Sequence, residues 1–494
     1  MHDFLTESMD QEKSDDDLSD GHYQLLTNTF MQLSKNIQED IRHYLREEQD
    51  YRLSRYNQNL LMPLPKHMLV NTFLSMKNMS LDLEAQQSFD VYDISAKRHF
   101  IYTTQSQVII NNFKVTTDDT AQSEIFYVTL QPKTPAKLDR CAFELWINPA
   151  LWSKLEYRLA QLKSALFHNE KIWVELYYDD GSTHHCQAHL EDIRYTLPMN
   201  DVVRLMLTSP EFFLGFKVVL DQMPIFSDAK LIKAVCLFDV SALKRGEIRE
   251  FSAFKDNLFK NNIIPLFNLY EGYSSAQKLD DTYDKIPLIH AEDPSARAFY
   301  VHQVWENNQL YKEYYHHIFS EYVFHKHVGK LGFYPKNIKE SVTQSKKVFV
   351  KAMWSQNVTH GHLLKLSSNA INAAQTRYEL VCLKPGVSIN NFRYVDRVVQ
   401  VFRAFSDLDM RNKDAFLIAL KFLCGAEYID IYQKFKSAVR SIEYNAVSNG
   451  IIIEVQQASD FAFVEHIANV ISTFFYVNSP QAIQVNTQVA NIYK

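Results

Sequence analysis

Apolar residues recur at spacings of four and three from the start of the foldable chain: Leu26, Phe30, Leu33, Ile37, Ile41 and Leu45. Gln, Glu, Lys and Arg fill the positions between them. That period predicts one long helix over residues 22–57, with Asp20 as its N-cap. The stripe is narrow and sustained, which suits a bundle or coiled-coil seam better than a helix lying on a sheet. Pro63 and Pro65 in "LMPLPK" forbid its continuation.

From about residue 67 to 330 the period shortens. "SQVIINNFKVT", "EIFYVTLQP", "CAFELWINP", "KIWVELYYDDGSTHHCQAHLEDI" and "GFKVVLDQM" are rich in β-branched and aromatic residues and read as strands separated by turns. A helical run, "ALWSKLEYRLAQLKSALFH", interrupts them with Leu151, Leu155, Leu159, Leu162 and Leu166 on one side. A further β-rich piece covers about 345–388. The last ninety residues return to helices, apart from the strand "GIIIEVQQ". The closing helix is capped by Ser459 or Asp460, carries Phe463, Ile467, Val470, Ile471 and Phe474 on its apolar face, and ends at "NSP". Phe475 and Tyr476 widen that face, so burial on two sides is expected.

These patterns predict an α+β multidomain chain with helical elements at both ends. Its divisions are an acidic tail (1–20), the long helix (21–60), a first β-rich domain with an inserted helix (61–210), a second β-rich segment (211–340), a third (341–400) and a C-terminal α+β segment (401–494).

Composition sharpens this picture in three ways. At 494 residues the chain is too long for one core. The 33 Phe and 27 Tyr suit large packed or interfacial surfaces. The net charge of -6 is concentrated: eight acids and one lysine lie in the first twenty residues, leaving the remainder nearly balanced. A balanced body offers no basic footprint for nucleic acid, and the acidic head reads as a disordered solvating tail. "MHDFLTESMDQEKSDDD" lacks the basic start and apolar stretch of an export signal, and no run approaches the ~20 apolar residues of a membrane span. The five cysteines are widely spaced and fit reduced core thiols.

Candidate chemistry is sparse. In "HHCQAH", His184, His185, Cys186 and His189 would alternate faces along a strand, whereas a zinc site needs converging ligands. Exposed hairpin histidines are the simpler reading. His316, His317, His325 and His327 lie in aromatic surroundings and, on a helix, would not converge. No Gly-rich phosphate loop, nucleophile elbow or H-E-x-x-H motif occurs. No enzymatic activity, cofactor or metal is therefore expected. The alternative is a β-rich carbohydrate-binding or carbohydrate-active protein, suggested by aromatics, strands and frequent acids.

One stretch carries more information. In "NNIIPLFNLYEGY" an apolar run is broken by Pro265 and Asn268 and ends on Glu271-Gly272. Proline tolerates an edge or a bulge, so Pro265 predicts that the strand leaves its sheet there, with Asn268 locking the turn. A plain edge strand with a polar end is the other reading. The stretch resembles a hallmark of the TssF family of type VI secretion baseplate subunits, matching at Pro265, Asn268, Leu269 and Glu271, with Tyr270 in place of the usual Phe. "NLLMPLPKHMLVNTF", "YDKIPLIHAEDPSARAFYVHQVWE" (with Tyr300, Val301 and Val304), "VFVKAMWSQNVTHGHLL" and "VISTFFYVNSPQAIQVNTQ" (with Asn478 and Ser479) are similar to family segments in the same order.

The resemblance implies a non-enzymatic wedge component with a helical core and β-rich, sandwich-like wings. Two copies, in contact with each other, would join one TssG. The wedge would bind TssK and TssE, and six wedges would surround the VgrG hub beneath the contractile sheath. It would reside in the bacterial cytoplasm, docked at the inner membrane through the apparatus and not inserted in it. On this reading the seam residues Leu26 to Leu45, the Pro265–Glu271 turn, and Phe474, Phe475, Asn478 and Ser479 are the candidate contact or turn positions.

Overall fold

A computed structural model describes residues 27–38, 64–74, 80–95, 97–119, 124–138, 141–222, 229–279, 288–306, 309–311, 314–323, 326–335, 346–356, 364–367, 376–384, 413–424, 428–445, 450–478 and 484–489. The chain divides into two compact units, residues 1–52 and 53–494. In the first, residues 27–38 form a helix exposed along its whole described length. Its stripe stands open, with Phe30 72%, Leu33 56% and Ile37 49% exposed. Leu26, Ile41 and Leu45 lie outside the described residues.

The second unit is built on sheets that are antiparallel apart from one strand pair, with helices inserted between strands and again toward its C-terminal end. The class is therefore α+β, with helical elements toward both ends and β-sheet units between them. The largest sheet has eight strands, in the order Phe259–Lys260, Ala142–Ile147, Gly215–Leu220, Thr183–Asp192, Ile172–Tyr178, Leu231–Asp239, Ile125–Pro132 and Phe113–Asp119. Its central hairpin follows from the local sequence. Strict alternation in Ile172–Tyr178 buries Ile172, Val174, Leu176 and Tyr178. Gly181 supplies the positive φ of +81° in the turn, and Asp180 accepts hydrogen bonds from the backbone and hydroxyl of Ser182.

The leucine run covers this sheet's inner face, and all five predicted leucines are buried. It is not one helix, however. A 3-10 turn (Pro149–Leu151) and a four-residue helix (Trp152–Leu155) precede the Tyr157–Phe167 helix, broken at Glu156 with φ 44°. Leu151 and Leu155 face the core before the break and Leu159, Leu162 and Leu166 after it, so the predicted apolar side is kept although the helix is interrupted.

A six-stranded sheet draws its members from distant parts of the chain: Leu364–Ser367, Ser88–Asp93, Arg98–Thr104, Ile263–Phe267, His67–Leu74 and Thr376–Lys384. A five-stranded sheet joins Tyr270–Tyr273, Lys346–Ser355, Arg297–Glu306 and Gln309–Tyr311, with Gln277–Leu279 also on Lys346–Ser355. The β-rich pieces read along the chain thus interleave in space.

The His-bearing run at 314–335 is a two-stranded ribbon, Tyr314–Val323 with Lys326–Pro335, and not helical. Its His316 lies opposite Phe333 and its His317 opposite Gly332; His325 falls outside the described residues.

Near the C-terminus, helices Lys413–Cys424, Ile429–Ala438 and Phe461–Asn478 share a core with a three-stranded sheet. Two of its strands, Val439–Asn445 and Gln484–Val489, flank the predicted Gly450–Val455 strand. The last pair is parallel, so the closing helix serves as its crossover. Phe463, Ile467, Val470, Ile471 and Phe474 are all buried in this core. Tyr476 is 72% exposed, so the apolar face narrows toward the helix end.

Candidate functional site

The quoted stretch lies where the six- and five-stranded sheets meet. Ile263–Phe267 pairs along its length with the His67–Leu74 strand, and Pro265 faces Leu69. Backbone bonds from Thr72 N to Asn262 O (2.9 Å) and from Asn268 N to Lys66 O (2.8 Å) put the doubly bonded pairs at even-numbered residues of this strand. Pro265 is therefore in a non-hydrogen-bonded pair, and its missing donor points away from that neighbour. On the other side, the Arg98–Thr104 strand pairs only with Leu266 and Phe267. The proline thus costs no ladder bond, although the strand is interior in the sheet order. The strand does not leave its sheet at Pro265, as the sequence suggested; it continues to Phe267 and leaves at Asn268.

Asn268 is fully buried. Its Nδ2 donates to Ile101 O at 3.0 Å, and its Oδ1 accepts from Ser355 Oγ (2.8 Å) and Gln356 N (2.9 Å). Gln356 Oε1 accepts from Ile101 N at 2.8 Å, which closes a ring between the two sheets. The Thr103 hydroxyl donates to Leu269 O, and Leu269 N returns to Phe267 O at 2.7 Å. Immediately after the turn, Tyr270 pairs with Trp354 in the five-stranded sheet. Leu269 faces the large core and Tyr270 the smaller core of that sheet. Glu271 reaches the surface and pairs with Lys351 at 2.8 Å, which raises the lysine's pKa.

The joint is tightly packed on the far side. Nδ1 of His290 accepts from Glu292 N (3.2 Å) and Asp293 N (3.0 Å), while its ring meets Trp354 and Tyr270 edge-on. Burial lowers its pKa. Gly272 lies against this ring: a Cβ there would stand 2.4 Å from His290 Nε2.

Two buried polar clusters beside the joint escaped the sequence reading. His67, fully buried, donates from Nδ1 to Pro65 O (2.8 Å), so Nε2 accepts from Ser209 Oγ (2.7 Å). Phe212 meets the ring edge-on and Phe267 stacks on it. Burial pushes its pKa down to about 4, so it stays neutral. A serine–histidine pair resembles a nucleophile and its base, but both residues are sealed from solvent, and here they tie a sheet to the turn after the Met199–Thr208 helix.

The second cluster is Asp201, fully buried in the first turn of that helix. The Tyr300 hydroxyl donates to Oδ2, and Arg204 Nη1 lies 3.7 Å from Oδ1. Burial raises the carboxyl pKa to about 7, against the pull of Arg204. Glu144 is similar, raised to about 7 by burial although Ile109 N and Trp146 Nε1 donate to it. An acid in a first helical turn and a tyrosine in a strand are ordinary in sequence; only their meeting marks them.

The histidines at 184–189 do not converge. His185 faces Glu175 (3.6 Å), while His189 bonds Asp221 (2.7 Å), which raises its pKa. Among the described residues no group of three or more His, Cys, Asp or Glu is placed to hold a metal. The outer face of the eight-stranded sheet exposes Trp173 (51%), with Leu237 and Gln187 opposite it. The alternation of "IWVELYY" already put Trp173 on the outward register. Phe474 is buried in the C-terminal core, Asn478 ends its helix, and Ser479 falls outside the described residues, as does the side chain of Phe475.

No protein-family model matches the chain, and no curated protein matches its sequence. Solved structures do match. A chain of the type VI secretion TssK-TssF-TssG baseplate subcomplex superposes with a TM-score of 0.66 at 10% identity, covering 94% of this chain and 96% of that one. A chain of the type VI secretion baseplate complex gives 0.58 at 11% identity, covering 99% and 93%. The protein therefore shares, along nearly its whole length, a fold found in type VI secretion baseplates.

Proposed function

We propose that this chain is the TssF-type subunit of a type VI secretion baseplate, a structural component whose work is assembly and not catalysis. The observation that carries the reading is coverage: the likeness to a chain of the TssK-TssF-TssG subcomplex takes in 94% of this chain and 96% of the other. A single borrowed domain would leave most of one chain unmatched. The sequence resemblance at Pro265–Glu271 agrees, because those residues form the joint between two sheets.

On this reading two copies join one TssG-like subunit, and the wedge contacts TssK- and TssE-like subunits, the VgrG hub and the sheath. The open stripe of Phe30, Leu33 and Ile37 is where a partner helix packs, since water-exposed apolar side chains at this period gain most from burial. The protein acts in the cytoplasm, held at the inner membrane through the apparatus. No helix among the described residues is long and apolar enough to cross a membrane.

Native mass spectrometry of the chain co-expressed with the TssG-like protein of its own gene cluster tests the assignment. A mass equal to two copies of this chain plus one partner is expected. A monodisperse monomer that ignores the partner would overturn it.

A further inference from the structure

The Met199–Thr208 helix is wedged between two cores. Leu205 faces the large core, while Val203 and Leu207 face the C-terminal one. Its link to the five-stranded sheet runs through Asp201, which takes the hydroxyl of Tyr300 from the Arg297–Glu306 strand. The contact is closed to solvent, with Asp201 0%, Arg204 3% and Tyr300 9% exposed. Among the described residues Oδ1 of Asp201 has no hydrogen-bond partner, and Arg204 Nη1, at 3.7 Å, is beyond hydrogen-bond reach. We propose that the Asp201–Tyr300 contact is a proton-controlled latch, closed while the carboxyl is protonated and loosened when it ionises, which sets how firmly the five-stranded sheet is held against the rest of the unit.

The physical reason is solvation. A neutral carboxyl can stay buried with one hydroxyl partner. An ionised one is acceptor-only, with about four lone-pair sites, and here a single hydroxyl and a guanidinium set too far back must replace its water shell. Opening the contact lets water in and relieves that cost. Among the described residues the groups that face Asp201 are Tyr300 from the strand and Arg204 from its own helix, the latter being a charge that acts on it. On the same strand, His302 answers to Glu271 and Lys351, and burial keeps its pKa below its ordinary value.

The sign follows from the raised folded-state pKa. The latch is fully effective below the ordinary aspartate range and is lost as pH rises through about 7. Linkage between an open-state carboxyl near 4 and a closed-state one near 7 gives about a tenfold rise in local opening from pH 6 to pH 8.

Hydrogen exchange of the full chain, read by mass spectrometry over peptides covering 297–306 and corrected for intrinsic exchange, measures that opening. The wild type should open about tenfold more at pH 8 than at pH 6. Asp201→Asn, which keeps an acceptor for Tyr300 but cannot ionise, should show no such rise, and Tyr300→Phe should open more readily at both pH values. A flat wild-type profile would overturn the proposal even if Asp201→Asn fails to fold. An equal pH response in wild type and Asp201→Asn would overturn it too, by assigning the titration to another group.

Discussion

Replacing Asn268 by alanine should uncouple the two sheets that meet there. The side chain serves three partners across the joint: Ile101 O, Ser355 Oγ and Gln356 N. Ser355 is only 7% exposed, so its hydroxyl would lose a partner with little water to replace it. Ile101 is 37% exposed, and its carbonyl can be rehydrated at smaller cost. An orphaned buried polar group costs about 1–3 kcal/mol. With two such groups and partial relief at the third, Asn268→Ala should destabilise the joint by about 2–4 kcal/mol. At about 1.4 kcal/mol per decade, that is a rise of roughly 30- to 700-fold in local opening. Hydrogen exchange over 98–104 and 346–356 reads it, and the rise should be concentrated in those strands, leaving the Ile172–Tyr178 hairpin unaffected. A change below about threefold, or one spread evenly over the unit, would refute the idea that Asn268 locks the turn. Asn268→Asp should be at least as damaging, because it exchanges the donor for a charged acceptor facing the Ile101 carbonyl.

Three other perturbations test separate parts of the structure. His67 is buried and held at about 4, so the unfolded chain takes the proton first as pH falls below 6.5; stability present above that point should be lost by about 3 kcal/mol down to pH 4. Urea unfolding at pH 7.5 and 5 should show His67→Asn to be less stable at the higher pH but less sensitive to acid than the wild type. A Cβ on Gly215 would meet Ile193 Cδ1 at 2.4 Å and the Trp146 ring at 2.5 Å, so Gly215→Ala should cost about 1–3 kcal/mol by overpacking, seen as a lower urea midpoint. Finally, Phe30→Ser, Leu33→Ser and Ile37→Ser together should leave the unfolding of the 53–494 unit unchanged while reducing co-purification with the TssG-like partner. Unaltered co-purification would remove the described helix from the interface.

What the sequence by itself determined is local. Alternation in "IWVELYY", the "DDGS" turn and the buried leucines from Leu151 to Leu166 predicted strand, turn and helix where they occur, because side-chain period and turn chemistry act over a few residues. The same signals established the α+β class and helical elements toward both ends. They failed where a local signal has two solutions: the leucine run breaks at Glu156, and two extra strands flank Gly450–Val455.

Only the tertiary structure decided which strands share a sheet. Ile263–Phe267 could have paired elsewhere by pattern alone. Its place between His67–Leu74 and Arg98–Thr104 is set by long-range packing, and that place explains how an interior strand tolerates Pro265. The same is true of Asn268 and Asp201. Their partners lie about ninety residues or more away along the chain, and a buried amide or acid acquires its role from the groups that replace its water.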